Sequence, residues 1–237
     1  MPSTALQLTN KTTNIIQMKI GILGTGSVGQ TIGRALIAKG HEVMMGSRSL
    51  TNEKANAWAV ANGANAGNGM FEDAAKFGEL IFICLNGNIT SDALQQAGPD
   101  NFAGKVVIDV TNPLDFSSGM PPSLLEKYCN IYSLGEEVQK LLPTAKVVKG
   151  LNTVTANLMV NAQLVNNGNH NLFICGNDAD AKNTVRQFLS DNFQWKAEHI
   201  LDFGDIKSAR LTEAIVPFWV GAMQVVGTPM FNYQIVK

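Results

Sequence analysis

The apolar positions of this chain follow two alternating periods. Nearly continuous apolar runs of strand length occur at residues 20–23, 41–46, 80–85, 105–110, 146–149 and 171–175. Between them, at residues 28–39, 53–61, 70–77, 91–97, 133–142 and 179–189, apolar residues return every three or four positions, as on one face of a helix. Gly40 stops the first of these helices, and Pro143 stops the one that opens with the capping box Ser133-Leu134-Gly135-Glu136. Strand and helix in alternation predict an α/β fold with a doubly wound, Rossmann-type parallel sheet, since a strand–helix–strand unit of this length makes a right-handed crossover. The run at 80–85 is apolar throughout, the pattern of a central strand covered on both faces.

Three stretches break the alternation. Residues 62–69, rich in Gly and Asn, read as a flexible loop, and the Ser/Gly/Pro-rich residues 115–123 as a loop over a site or a mobile one. Residues 206–226 read as one long helix, kinked at Pro217 and stopped by Gly227, which gives the sheet a short helical C-terminal appendage. From Ala214 onward this helix is apolar nearly all round, so it is expected to be buried on more than one side. The apolar stretch falls short of the roughly 20 residues that cross a bilayer. A homodimer interface is the preferred reading, ahead of a lid over the substrate.

The candidate chemistry begins at Gly24-Thr25-Gly26-Ser27-Val28-Gly29, between the first apolar run and the first helix. In that setting the first glycine makes the tight turn, the second lets a pyrophosphate approach the backbone, and the third lets helix and strand pack closely. The free N–H groups at the helix start then face the phosphates. An NAD site presents an acid at the end of the second strand; here Gly46-Ser47-Arg48-Ser49 stands there instead. A guanidinium with flanking hydroxyls suits a 2′-phosphate, so NADP is expected as the cofactor. Further polar residues follow later strands: Thr111 and Asn112 could bond the nicotinamide half or form an Asx turn before Pro113. The strand at 146–149 delivers residues 150–156 to the same edge. His41, His170 and His199 have no spaced partners and read as structural. Lys149 and Lys207 could act as acids in carbonyl reduction, although a surface lysine is the commoner case, and no catalytic residue is nominated.

With 237 residues, 45% hydrophobic and 16% charged, the chain can bury a sizeable core. Its net charge is −1 and it has no Lys/Arg block, which excludes an electrostatic footprint for nucleic acid or an acidic membrane. Cys84, Cys129 and Cys175 lie far apart without metal-ligand spacing, so free thiols, no metal site and a reducing cytoplasmic setting are expected. Residues 1–17 read as a disordered leader, 18–203 as the nucleotide-binding domain and 204–237 as a helical segment for dimer or substrate contact.

From residue 18 onward the chain resembles the F420-dependent NADP oxidoreductases and their relatives, whose fold also appears in the cytoplasmic domains of eukaryotic metalloreductases. The resemblance rests on the glycine turn, on Gly46-Ser47-Arg48, on residues 147–154, and on Asp202-Phe203-Gly204 through Arg210-Leu211-Thr212-Glu213. It implies that Thr25, Gly26, Ser27 and Val28 wrap the phosphates, that Thr25, Ser47 and Arg48 surround the 2′-phosphate, and that Leu85, Asn112 and Ala156 lie around the nicotinamide. On the substrate side it points to Asn152 and Thr153, with Asn152 standing where deazaflavin-reducing members have a histidine. The family's second basic residue is displaced here to Lys54. The implied activity is direct hydride transfer between the nicotinamide and a small-molecule electron acceptor, a ring such as coenzyme F420 or a flavin. Reduction of a small carbonyl, imine or ferric substrate, or a non-catalytic NADP sensor, are the alternatives.

Overall fold

The structure, a computed structural model, describes residues 16–236, so most of the expected leader at 1–17 lies outside the described residues. In chain order the elements are β1 (Lys19–Leu23), α1 (Ser27–Ala38), β2 (Glu42–Ser47), α2 (Glu53–Asn62), β3 (Ala66–Met70), α3 (Phe71–Phe77), β4 (Leu80–Ile83) and α4 (Thr90–Ala97). There follow β5 (Val106–Asp109), the two-residue strands β6 (Leu114–Asp115) and β7 (Ser123–Leu124), α5 (Leu134–Leu141), β8 (Lys146–Gly150) and the single turn α6 (Ala156–Met159). The chain ends with β9 (Leu172–Gly176), α7 (Ala179–Phe193), β10 (Ile200–Asp202) and α8 (Ala209–Val226).

Side-chain caps set several helix starts. Asn52 accepts from Ala55 N, Asp178 from Ala181 N and Ser133 from Glu136 N, each satisfying a backbone donor that the helix leaves unpaired. The expected capping box at Ser133 is only half formed, because the Glu136 carboxylate turns to the Ser133 hydroxyl and to Arg210. Gly227, at φ 76°, closes α8 in the left-handed conformation that favours glycine.

The main sheet has the order β10-β9-β8-β5-β4-β1-β2-β3, and its strands from β3 to β8 run parallel. Alternate residues of the central strands face opposite ways. Phe82, Ile108 and Val148 join one buried layer with Ile32, Leu36 and Leu189, while Ile81, Ile83, Val107 and Val147 join another with Leu94, Phe102 and Val138. This is the doubly wound architecture that the alternating periods predict.

Four details depart from the sequence expectation. The Gly/Asn-rich stretch at 62–69 is not simply a loop: β3 begins inside it, held by pairing along β2 from Val43 to Ser47. Loop 115–123 is flanked by the β6–β7 pair. β10 carries too short an apolar run to stand out. Finally, β9 runs antiparallel to β8, with β10 parallel to β9, so the sheet is mixed rather than wholly parallel. Between β8 and β9 the chain makes only α6 and short 3-10 turns, not the long crossover helix that a parallel return needs.

The register aligns the strand ends. Leu23 sits beside Gly46 and Ile83, Ile83 beside Asp109, and Asp109 beside Lys149. Whatever follows those residues therefore emerges on one edge of the sheet.

Candidate functional site

At that edge the glycine turn is fixed from both sides. Gly24 N donates to Gly46 O at 3.0 Å, and Gly24 lies at φ +123°, where a Cβ would meet Cys84 O at 2.3 Å. A Cβ on Gly29 would meet Gly24 O at 2.3 Å, so helix α1 can approach the turn only because this residue has none. A Cβ on Gly26 would meet nothing within 4 Å. Gly29 thus serves packing, and Gly26 faces open space at the start of α1.

Two cavities flank the turn. One, of about 400 Å³, is lined by Gly24, Thr25, Gly26, Ser47, Arg48 and Leu85 among the expected residues, and also by Asn52, Lys54, Phe71, Cys84, Asn86 and Ile89. The other, of about 290 Å³, is lined by Ser27, Val28, Asn112, Asn152, Thr153 and Ala156, with apolar walls from Val110, Leu114, Met159, Val216 and Val220 and an indole from Trp219. Gly29, behind the turn, lines neither. Phe71 carried no local sign of a site, because a distant element brings it to the edge, whereas Val216, Trp219 and Val220 lie in the segment expected to make dimer or substrate contact. Lys54 reaches the cavity of Arg48 although its spacing differs from the family pattern. The Ser47 hydroxyl donates to Ser49 O at 2.6 Å, which tightens the turn that carries the exposed Arg48.

In the second cavity the two asparagines bridge strand exits. Asn112 Nδ2 donates to Asn152 O at 2.8 Å, and Asn152 Nδ2 donates to Asn112 Oδ1 at 3.0 Å and to Thr212 O at 2.9 Å. The Asn152 amide is therefore oriented, with Oδ1 left as an acceptor. Asn152 Oδ1, Thr153 Oγ1 and Trp219 Nε1 are buried with no hydrogen-bond partner, and all three residues line this cavity. Buried polar atoms are ordinarily paired, so such a group of orphans marks a place for ligand or water.

Lys149 is no surface lysine. It is fully buried, with Nζ 3.0 Å from Asp109 Oδ2, 2.8 Å from Glu213 Oε1 and 2.6 Å from Thr111 O. Glu213 in turn accepts from Leu134 N and Gly135 N at the start of α5, both at 2.9 Å. Burial alone would push the Lys149 ammonium down, but the two carboxylates outweigh it and hold the group above its ordinary value. Burial holds the Glu213 carboxyl above the usual carboxylate range despite Lys149. The cluster joins β5, β8, α5 and α8; Lys149 lines neither cavity, and Lys207 is exposed away from both.

Burial pushes the Cys84 thiol far up, with Asp109 adding to the effect, and pushes Cys175 up to about 12, so neither is a thiolate at neutral pH. His41 is structural: its Nδ1 accepts from Met18 N and its Nε2 donates to Asn192 Oδ1 at 2.8 Å. Among the described residues no group of three His, Cys, Asp or Glu side chains could hold a metal, and no helix is long and apolar enough to cross a membrane.

A family model described as NADP oxidoreductase, coenzyme F420-dependent, matches residues 19–113. A crystal structure from Arthrobacter sp. FB24, described as a candidate F420-dependent NADP reductase, is 40% identical, covers 93% of this chain and 100% of its own, and superposes with a TM-score of 0.84. The metalloreductase STEAP3 of Rattus norvegicus is 30% identical over 205 residues, 85% of this chain; the match spans only 38% of that relative's length. The reductive aminase from Aspergillus terreus, solved with NADPH and ethyl-5-oxohexanoate, shares the fold at 20% identity and TM-score 0.61, over 90% of this chain and 63% of its own.

Proposed function

The chain belongs to the F420-dependent NADP oxidoreductase family, and from that premise we propose that its crevice carries hydride between NADP(H) and a ring-type electron acceptor such as coenzyme F420 or a flavin. It is an NADP oxidoreductase, and NADP is its cofactor. The observation that carries the site assignment is the open space before Gly26, at a helix start between the cavity of Arg48 and that of Asn112 and Asn152. A Cβ on Gly26 would meet nothing within 4 Å, and that space beside the helix start supports the placing of a pyrophosphate there.

Gly24 through Val28 would hold the phosphates. Thr25, Ser47 and Arg48, joined by Lys54, would hold the 2′-phosphate, and Leu85, Asn112 and Ala156 would flank the nicotinamide. When bound, the dinucleotide supplies the hydride. The protein's part is to hold two rings in contact and exclude water. Val110, Leu114, Met159, Val216 and Val220 give the cavity apolar walls for this, while the orphan atoms of Asn152, Thr153 and Trp219 can take the acceptor's polar groups. No side chain is assigned as acid or base, and Lys149 is locked in its ion cluster. Residues 18–203 would form the nucleotide-binding domain and 204–237 the acceptor-side and dimer segment. Free thiols fit a cytoplasmic enzyme, and the exposed apolar side chains of α8 fit a homodimer.

Two measurements test this reading. Arg48→Glu is expected to weaken NADPH binding about 100-fold and NADH binding by less than about threefold, and equal losses would sink the 2′-phosphate assignment. Following NADPH absorbance with oxidised F420, flavins, quinones, ferric chelates and small carbonyls should show oxidation by F420 or a flavin. Turnover with carbonyls alone would overturn the ring-acceptor reading.

A further inference from the structure

After Gly227 ends α8, the chain folds back on His170 and Asn171, the two residues that precede β9. Asn171 N donates to Tyr233 O at 2.9 Å, and Asn171 Oδ1 accepts from Ile235 N at 2.6 Å. Beside them the Asn232 amide donates from Nδ2 to Asn171 O and to His170 Nδ1, both at 2.8 Å. The residue before it, Phe231, lies on the Trp219 ring at 5.3 Å, with the two planes 16° apart. Trp219 lines the cavity of Asn112 and Asn152, so one short segment joins that cavity to a buried histidine.

Every proton at this junction has one place. Ala162 O can only accept, so the neutral His170 ring carries its proton on Nε2, 2.9 Å from that oxygen, and Nδ1 is an acceptor. Asn232 is fixed in turn, because both Nδ2 protons are engaged. Reversing the amide would set Oδ1 against the lone pairs of His170 Nδ1 and Asn171 O. The amide keeps its orientation even though Asn232 Oδ1 is left buried without a partner. A second proton on His170 turns Nδ1 into a donor that faces a donor. The reversed amide would then suit His170 but still oppose Asn171 O. Once the ring is charged, neither orientation of Asn232 satisfies both neighbours.

We propose that Asn232 is a positioning residue for this cavity and that His170 operates it. The neutral ring holds residues 228–235 in place and keeps Phe231 on Trp219; uptake of one proton from solvent at Nδ1 releases both. Burial holds the His170 imidazole below its ordinary value; the Ala162 and Val165 carbonyls oppose this, and the charged groups facing the ring, His199 and Lys196, add to it. The folded protein therefore favours the neutral ring, so the latch is closed at neutral pH and opens as the pH falls through a value below about 6.5. Its effect on turnover rests on the reading that this cavity receives the electron acceptor, whereas the latch itself does not.

Hydrogen exchange, together with 19F spectra of protein labelled with 5-fluorotryptophan, tests this between about pH 8 and about pH 5. With intrinsic rates divided out, protection of residues 228–235 in the wild type should fall at least about tenfold across that range. Trp195 lies edge-on to His170 at 5.0 Å and reports the titration of the ring, while Trp219 reports whether Phe231 follows. Both resonances should shift with one midpoint. In Asn232→Leu the Trp195 shift should remain, with the segment weakly protected and Trp219 unmoved throughout. In Asn232→Asp, whose carboxylate only accepts, the charged ring is the better partner, so protection should rise as the pH falls. A general loosening in acid would not reverse in this way. A Trp195 resonance that stays fixed, a wild-type segment or Trp219 that does not change as Trp195 titrates, or an Asn232→Asp segment that loosens in acid, overturns the latch. With NADPH and riboflavin, the KM for riboflavin should rise at least about threefold over the same range in the wild type and stay level in Asn232→Leu. Turnover with a level wild-type KM overturns the positioning role. Latch signals with no turnover of any acceptor overturn the acceptor reading and leave the latch standing.

Discussion

Gly26 and Gly29 are three residues apart in one motif, yet they answer to different demands. A methyl group on Gly29 would stand 2.3 Å from Gly24 O, and the backbone of the turn cannot yield without moving strand β1. Gly29→Ala is therefore expected to cost about 2 kcal/mol of stability or more in urea titration. Gly26→Ala meets no protein atom within 4 Å and keeps an extended backbone at φ −74° and ψ 177°. It should alter stability by less than about 1 kcal/mol, the cost of a poorer helix cap, while weakening NADPH about tenfold or more. Equal effects of the two substitutions on folding and binding would contradict this division. The positions of both glycines were legible in the sequence because each role is a backbone requirement set by the flanking strand and helix. The Asp109–Lys149–Glu213 cluster was not, because its members come from three elements and nothing local distinguishes a buried lysine from a solvated one.

Helix α8 is tied to the rest of the fold mainly through its first turns. Glu213 caps the start of α5, and Arg210 donates from Nε and Nη2 to the two carboxylate oxygens of Glu136 at 2.8 and 2.6 Å. Burial alone would raise the Glu136 carboxyl, but the bonds from Arg210 and Ser133 outweigh it and hold the group below the usual carboxylate range. A depressed folded value contributes stability that is present above the unfolded value, about 4.3, and is lost as pH falls through the folded one. Glu136→Gln should therefore melt below the wild type at pH 7, with the gap narrowing as the pH falls below about 4.3. A gap that stays constant across that range would mean that the pair is not the tie. The long helices and central strands could be read from apolar period alone. β3 and the reversal of β9 could not, since β3 is a Gly/Asn strand made by its neighbour and the reversal depends on how briefly the chain travels after β8.

As a whole the molecule leaves one face of α8 exposed, with Leu211, Phe218, Val225 and Val226 between 56% and 90% accessible. Large apolar side chains grouped on one helix mark a contact surface more often than scattered ones do. Light scattering after size exclusion at micromolar concentration is expected to give twice 25.5 kDa, and Phe218→Ser should shift the particle towards the monomer. A single-chain mass for the wild type would end the dimer reading. The reversal of β9 also decides where the last residues go. Because β9 runs against β8, its first residues lie at the crevice edge, and there Asn171 N donates to Tyr233 O while Asn171 Oδ1 accepts from Ile235 N. Phe231 stacks at 5.3 Å on Trp219, which lines the cavity of Asn112 and Asn152. For anyone building a fluorescent reporter on this scaffold, the two ends are not equivalent. A dye attached beside Ile235 shares the edge that carries both cavities, whereas one attached beside Lys19, at the start of β1, sits at the opposite edge, a strand's length away, and would act as a silent reference.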